Sequence, residues 1–219
     1  MKPIPLIVDV DETVLNPIPS WIAFIRSTYG ISLTQEEVGA AGSVQSALHE
    51  RGVGSDVIRE AEAFRSASEL NARLPAVPGS IETLRFLEHQ ELGRVECYLT
   101  ARPASVSAVT YANLKDVGAP EARAEFLDAK RETVVWAKRS RVKAIAATLG
   151  NIAILDDNVD LISSLLEQPE QGVLPICILG PFRAYQLRRA QELGVGEHCI
   201  PWQALAAKLA GPGTKGGRS

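Results

Sequence analysis

The stretch that decides the reading of this chain is Ile4-Pro5-Leu6-Ile7-Val8-Asp9-Val10-Asp11-Glu12-Thr13. Its first five residues are apolar without alternation, which is the pattern of a strand covered on both faces, as in a parallel sheet between helix layers. The run stops at two carboxylates spaced two residues apart. In extended chain Asp9 and Asp11 point the same way, and a turn after Asp9 splays them slightly. Two carboxylates this close repel, and a bound hard cation with oxygen ligands is the usual remedy. Open α/β sheets bind ligands beyond the carboxyl ends of their strands. A strand end that merely carries two acids is the plainer alternative, and the pair alone leaves both readings open.

Working outward, four further apolar runs follow at residues 95–100, 122–128, 152–156 and 174–179, the second of these being the weakest. Helical patterns lie between or after them. Residues 80–90 carry Ile81, Leu84 and Leu87 on one face, residues 104–117 follow Pro103, and residues 131–149, 159–166 and 182–192 complete the set. Strand then helix, repeated, predicts a parallel sheet with right-handed crossovers. The first interval breaks the rhythm. Residues 14–77 contain no convincing strand and read as helices at 19–29, 35–42, 43–51 and 55–74, far more than an ordinary connection needs. The expected organisation is therefore an α/β core of three-layer, Rossmann-like type with a mainly parallel sheet, formed by residues 1–13 and 78–210. An inserted α-helical cap occupies residues 14–77, and the Gly-rich residues 211–219 form a disordered tail.

With 219 residues, 46% of them hydrophobic and 22% charged, the chain has the composition of a folded globular protein with one substantial core. The formal charge of −3 and the lack of a basic run remove the electrostatic case for nucleic-acid binding, while a small anionic substrate stays compatible with a locally positive site. Cys97, Cys177 and Cys199 are scattered and odd in number, which suits reduced, buried thiols. The apolar start is too short to span a membrane and lacks a cleavage pattern, so a soluble cytoplasmic protein is expected. His49, His89 and His198 show no metal spacing, and neither a dinucleotide fingerprint nor a P-loop occurs. Oligomeric state is not legible.

Three more features carry chemistry. In Leu99-Thr100-Ala101-Arg102-Pro103 a hydroxyl at a strand end adjoins a helix start, where it can donate to a phosphoryl oxygen or simply cap the helix. Arg102 adds a guanidinium suited to bidentate binding of an anion. In Ile154-Leu155-Asp156-Asp157-Asn158 consecutive acids follow an apolar strand. One can complete a magnesium shell while the other orients it or a lysine, although a helix cap at Asp157 or Asn158 is the competing explanation. A lysine upstream of that strand, from Lys130, Lys138 and Lys143, would offset the negative charge, though most lysines are solvated surface charges.

Taken in order, these stretches resemble the haloacid dehalogenase-like superfamily. Asp9-Val10-Asp11-Glu12-Thr13 looks like its first motif, Thr100 after Cys97-Tyr98-Leu99 its second, and Asp156-Asp157 its fourth. The third is a lysine in a less regular context. The resemblance runs from Leu6 to about Leu179. It implies Asp9 as the nucleophile that forms an aspartyl-phosphate, and Asp11 as the group that protonates the leaving oxygen and then deprotonates water, its backbone carbonyl ligating Mg2+. It implies Thr100, with Ala101 and Arg102, as the phosphoryl cradle, and Lys138 as the third-motif lysine ahead of Lys143. Asp157 is the first choice for the last metal ligand, with Asp156 close behind. The inserted helices correspond to a cap that closes over the site, where Trp21, Phe24 and Tyr29 form either an apolar wall or simply cap core.

The expected function is thus magnesium-dependent hydrolysis of a phosphate monoester, the substrate being a small metabolite or nucleotide. The Thr100-to-Pro103 stretch adds a weaker lead to nucleic-acid ends. A phosphomutase of the same family and a non-catalytic phospho-ligand module are the alternatives. A mutase would need a bisphosphate activator, and a binding module would bind without turnover.

Overall fold

The computed structural model describes residues 2–61, 64, 67–69, 71–130 and 133–210. The tail expected to be disordered, residues 211–219, lies outside the described residues, as does the start expected for the 131–149 helix. Six strands form one parallel sheet: β1 (Ile4–Val8), β2 (Gly93–Thr100), β3 (Arg123–Phe126), β4 (Ile152–Asp156), β5 (Val173–Ile178) and β6 (Cys199–Ile200). Their order across the sheet is β3-β2-β1-β4-β5-β6. The chain builds outward from β1 to β3, then returns to the other side of β1 and builds outward again. The reversal lies between β1 and β4, where a crevice opens beyond the carboxyl ends of the two strands.

Alternation along the strands divides the core into layers. Leu6, Val8, Tyr98, Ala153, Leu155 and Ile176 face α5 (Ser80–His89), α6 (Ser107–Asp116) and α10 (Leu205–Ala210), where Leu84, Leu87, Leu114 and Leu205 are buried. Ile7, Cys97, Leu99, Ile152 and Ile154 face the opposite layer, packing on Val142, Ile145 and Ala146 of α7 (Val134–Leu149) and on Leu161 and Leu165 of α8 (Val159–Glu167). Cys177 and Cys199 pack with Ala190 of α9 (Arg183–Glu192), and all three thiols are free and buried. The chain is thus an α/β, Rossmann-like fold of three layers.

The long first interval is helical: α1 (Ile18–Tyr29), α2 (Gln35–Ala41), α3 (Val44–Glu50) and α4 (Ser55–Ala61). They have a core of their own, in which Trp21, Ile25, Leu33, Val38, Val44, Leu48 and Phe64 are buried. Two chain crossings tie this layer to the sheet: Asn16 N–H donates to Pro75 O at 2.7 Å and Val77 N–H to Val14 O at 2.7 Å. The layer also rests on α9. The Gly42 backbone, at φ +78°, lies so close to Tyr185 that a Cβ there would stand 2.5 Å from the ring, and Arg188 donates to Ala40 O at 2.9 Å.

Three details differ from the sequence expectation. The helix expected over 55–74 ends as α4 at Ala61, and the described residues 67–69 and 71–74 are not helical. The Asn71 amide there donates to the Phe64 and Ala67 carbonyls, the competition by which Asn disfavours helix, and Arg73 is left-handed at φ +56°. The helix expected from 104 begins as a 3-10 turn over Ala104–Val106. Strand β6 and helix α10 were not foreseen; two strand residues give no periodicity to detect.

Candidate active site

Asp9 follows β1 directly, and its N–H donates to Leu155 O at 2.9 Å, which ties the end of β1 to β4. Asp156 is the last residue of β4 and is fully buried. Between them comes a lysine from α7: Lys138 Nζ lies 2.7 Å from Asp9 Oδ1 and 2.7 Å from Asp156 Oδ2. The other Asp156 oxygen accepts the Asn158 N–H at 3.0 Å. Both Asp156 oxygens are thus occupied, while Asp157, half-buried, lines the cavity beyond the strand ends.

Asp11 is held by a different cation. Arg102 donates to it from Nε at 2.9 and 3.1 Å and from Nη2 at 2.6 Å. Its remaining Nη1 donates to Thr110 Oγ1 at 2.9 Å, and that hydroxyl donates in turn to Val106 O at 2.9 Å. Thr100, at the end of β2, is fully buried, and its hydroxyl accepts the Arg102 N–H at 3.1 Å. Ala101 and Arg102 line the cavity. Of the three candidate lysines, Lys138 alone joins the carboxylates. Lys143 pairs with Glu170 at 3.0 Å on the surface, and Lys130 is exposed.

Electrostatics follow from burial. Asp9 is pushed up to about 7 by desolvation, with the charges of Asp156 and Asp11 adding to that and Lys138 opposing it. Asp157 is likewise raised, first by burial and then by the charges of Glu12, Asp156 and Asp9. Burial alone would depress the Lys138 ammonium, but Asp156 and Asp9 outweigh it and raise its pKa, so the lysine stays charged. Carboxylate oxygens of Asp9, Asp156 and Asp157 come within 4.8 Å of one another. An all-oxygen set of crowded acids fits a hard divalent cation such as Mg2+.

The cavity holds about 300 Å³. Asp9, Asp11, Lys138 and Asp157 form its sheet side, while Trp21, Ser43, Gln45, Phe64 and Asn71 come from the helical insertion and Phe182, Tyr185 and Gln186 from the region of α9. Trp21 stacks on Phe64 with ring centres 5.3 Å apart, and both belong to the core of the insertion as well as to the cavity wall. Phe24 and Tyr29 are partly buried against that same core. Sequence reasoning did not find Ser43, Gln45, Asn71, Tyr185 or Gln186. The Gly42-Ser43 break between two short helical patterns was the one available signal, since it turns the chain towards Tyr185.

No family model matches the chain, and no curated protein does. Solved structures do. A protein from Lactobacillus delbrueckii subsp. bulgaricus assigned as a phosphoglycolate phosphatase aligns with a TM-score of 0.61 at 13% identity, covering 95% of this chain and 99% of its own. A predicted phosphatase from Clostridium acetobutylicum aligns with a TM-score of 0.59 at 12% identity, covering 96% and 99%. A protein from Burkholderia xenovorans LB400 assigned as a haloacid dehalogenase-like hydrolase aligns with a TM-score of 0.55 at 11% identity, covering 94% and 98%. The alignments extend through the helical insertion as well as the sheet. The chain has the fold of the haloacid dehalogenase-like superfamily.

Proposed function

We propose that the protein is a magnesium-dependent phosphatase that hydrolyses a small phosphate monoester through an aspartyl-phosphate on Asp9. The observation that carries this reading is the buried Asp9–Lys138–Asp156 constellation, with Asp157 and Asp11 facing the same cavity. Two structural neighbours bear the name of phosphatase, one of them of phosphoglycolate, which is the same reaction class.

In the first half of the reaction an Asp9 carboxylate oxygen attacks phosphorus in line. The Asp9 O–P bond forms as the bond from phosphorus to the leaving oxygen breaks, and that oxygen keeps the electron pair and takes a proton from the Asp11 carboxyl. In the second half water attacks phosphorus and gives its proton to Asp11. The Asp9 O–P bond breaks, releasing inorganic phosphate and restoring both side chains. Lys138 holds Asp9 in place and offsets its charge. Ala101 and Arg102 shape the wall beside the transferred group, and Thr100, buried behind them, accepts the Arg102 N–H and holds that turn. Asp9, Asp157 and the Asp11 carbonyl would hold Mg2+, with Asp156 orienting Lys138. When bound, the ion supplies the positive charge that lets a carboxylate and a phosphate approach each other.

The insertion and α9 side of the cavity, with Trp21, Phe64, Tyr185 and uncharged polar groups, receives the leaving alcohol, which suits a phosphorylated metabolite or nucleotide. The three free, buried thiols accord with a reducing cytoplasm. Among the described residues no helix is long and apolar enough to cross a membrane.

The test is phosphate release with Mg2+ from p-nitrophenyl phosphate and from a panel of phosphorylated metabolites, nucleotides and 3′-phosphorylated oligonucleotides. Asp9→Asn should abolish release while leaving the fold intact. Equal activity in that variant would sink the nucleophile assignment.

A further inference from the structure

Each of the two neighbouring acids after β1 has its own buried cation. Lys138 takes Asp9 and Arg102 takes Asp11. The second pair is unusually constrained. The Arg102 side chain is 2% exposed, both nitrogens of one edge of its guanidinium fork the Asp11 carboxylate, and the third nitrogen is braced by Thr110. The Thr110 hydroxyl is itself fully buried and is fixed by donation to Val106 O. The main chain of Arg102 is pinned as well, through its N–H to Thr100. A planar fork held at three nitrogens and at its backbone sets the direction of the carboxylate it grips. The edge that forks Asp11 is not open to a phosphoryl group in the same arrangement.

We propose that Arg102 is a positioning residue, braced by Thr110, that aims the Asp11 carboxyl at the leaving oxygen and the hydrolytic water instead of binding the phosphoryl group. The proposal rests on the phosphatase reading above. Its consequence is a division of labour after β1: the nucleophile is oriented from α7 by Lys138, and the proton-transfer group from α6 by way of Arg102. Misaimed by a fraction of a hydrogen-bond length, Asp11 would fail in both halves of the reaction, while substrate binding would be untouched.

The experiment compares wild type with Arg102→Lys and Thr110→Val. Lysine keeps the charge but cannot fork; valine keeps the volume of Thr110 and removes the hydroxyl that braces Arg102 and donates to Val106 O. With an alkyl phosphate, kcat should fall about 10²-fold in Arg102→Lys and less in Thr110→Val, with KM and inhibition by inorganic phosphate within about 3-fold of wild type. With 2,4-dinitrophenyl phosphate, whose leaving group needs no proton, the first half should survive and the second should stall. Both variants should then release a burst of dinitrophenol of about one equivalent per site and retain phosphate covalently on the protein.

A rise of about 10-fold or more in KM and in the phosphate inhibition constant, with no burst, would show that Arg102 grips the phosphoryl group and would overturn the proposal. A loss equal for both esters and proportional to the unfolded fraction would reduce Arg102 to packing and overturn it as well. Absence of phosphate release by the wild type from every ester would instead defeat the phosphatase reading itself, so the two failures are distinct.

Discussion

Lys138 lies 2.7 Å from a carboxylate oxygen on each side, and the three side chains involved are 5%, 6% and 0% exposed. A buried charge of this kind is not a net stabiliser by itself, because desolvating three ions offsets most of their attraction. Removing one member is another matter, since it leaves the others buried and unpaired. Lys138→Met should therefore destabilise the protein by about 3–5 kcal/mol, read from urea unfolding in the presence of a chelator. Adding Asp156→Asn to it should recover part of that loss by removing one of the stranded charges. A cost below about 1 kcal/mol would mean that the lysine behaves as a solvated surface charge. This residue also marks what sequence could and could not reveal. Acids at the ends of apolar runs announce themselves, because nothing in packing calls for them. A lysine in the middle of a helix does not, and Lys130, Lys138 and Lys143 were separable only by resemblance. What distinguishes Lys138 is which face of α7 turns towards β1 and β4, and that is a property of the packed molecule.

Helix α2 of the insertion is short, and its start is held by side chains instead of by burial. Thr34 and Glu37 form a capping box: Glu37 N–H donates to Thr34 Oγ1 at 3.1 Å, and the Thr34 N–H donates to Glu37 Oε2 at 2.8 Å. Arg51, just past α3, donates to the other Glu37 oxygen, so one carboxylate joins two helices. The Arg51 and Thr34 hydrogen bonds hold Glu37 down to about 2, against an ordinary value of 4.5. A carboxylate depressed in the folded state contributes stability that is present above its unfolded pKa and lost as pH falls through the folded one. Glu37→Gln should accordingly be less stable than wild type by a constant margin above pH 4.5, and the margin should close as pH approaches about 2. Chemical unfolding of both proteins across that range is the measurement, and a margin that persists at the acid end would assign it to packing instead of charge. The boundaries of α2 and α3 were legible because Thr34, Gly42 and Ser43 are capping residues in their customary places. The non-helical course of residues 67–69 and 71–74 was not, because Asn71 acts there through its side chain on carbonyls several residues away. Likewise β6 owes its existence to pairing with β5, since two residues carry no pattern of their own.

At the scale of the molecule, the sheet reverses direction between β1 and β4, and that reversal brings together acids separated by nearly 150 positions in the chain. Strand order was not readable from the sequence. The repeated strand-helix rhythm fixes a parallel sheet but leaves open which strands are neighbours, and only pairing of β1 with both β2 and β4 places Asp9 beside Asp156 and Asp157. The result is a knot of negative charge in which Lys138 is bound on both sides by Asp9 and Asp156, while Asp157 faces the cavity with a raised pKa. Such an arrangement stores repulsion that a divalent cation relieves, so ion binding and global stability should be linked. Mg2+ at about 100 times its dissociation constant should stabilise the folded chain by about 2.7 kcal/mol, a rise of about 5–10 °C in Tm for a protein of this size. Asp157→Asn should already relieve some of the repulsion without the ion. Its baseline Tm should therefore not fall, while its response to Mg2+ should largely disappear. Lys143→Ala, which alters only a surface pair with Glu170, should keep the full response. A thermal shift of the same size in wild type and Asp157→Asn would place the ion elsewhere, and a Tm that ignores Mg2+ in the wild type would mean that Lys138 alone neutralises these carboxylates.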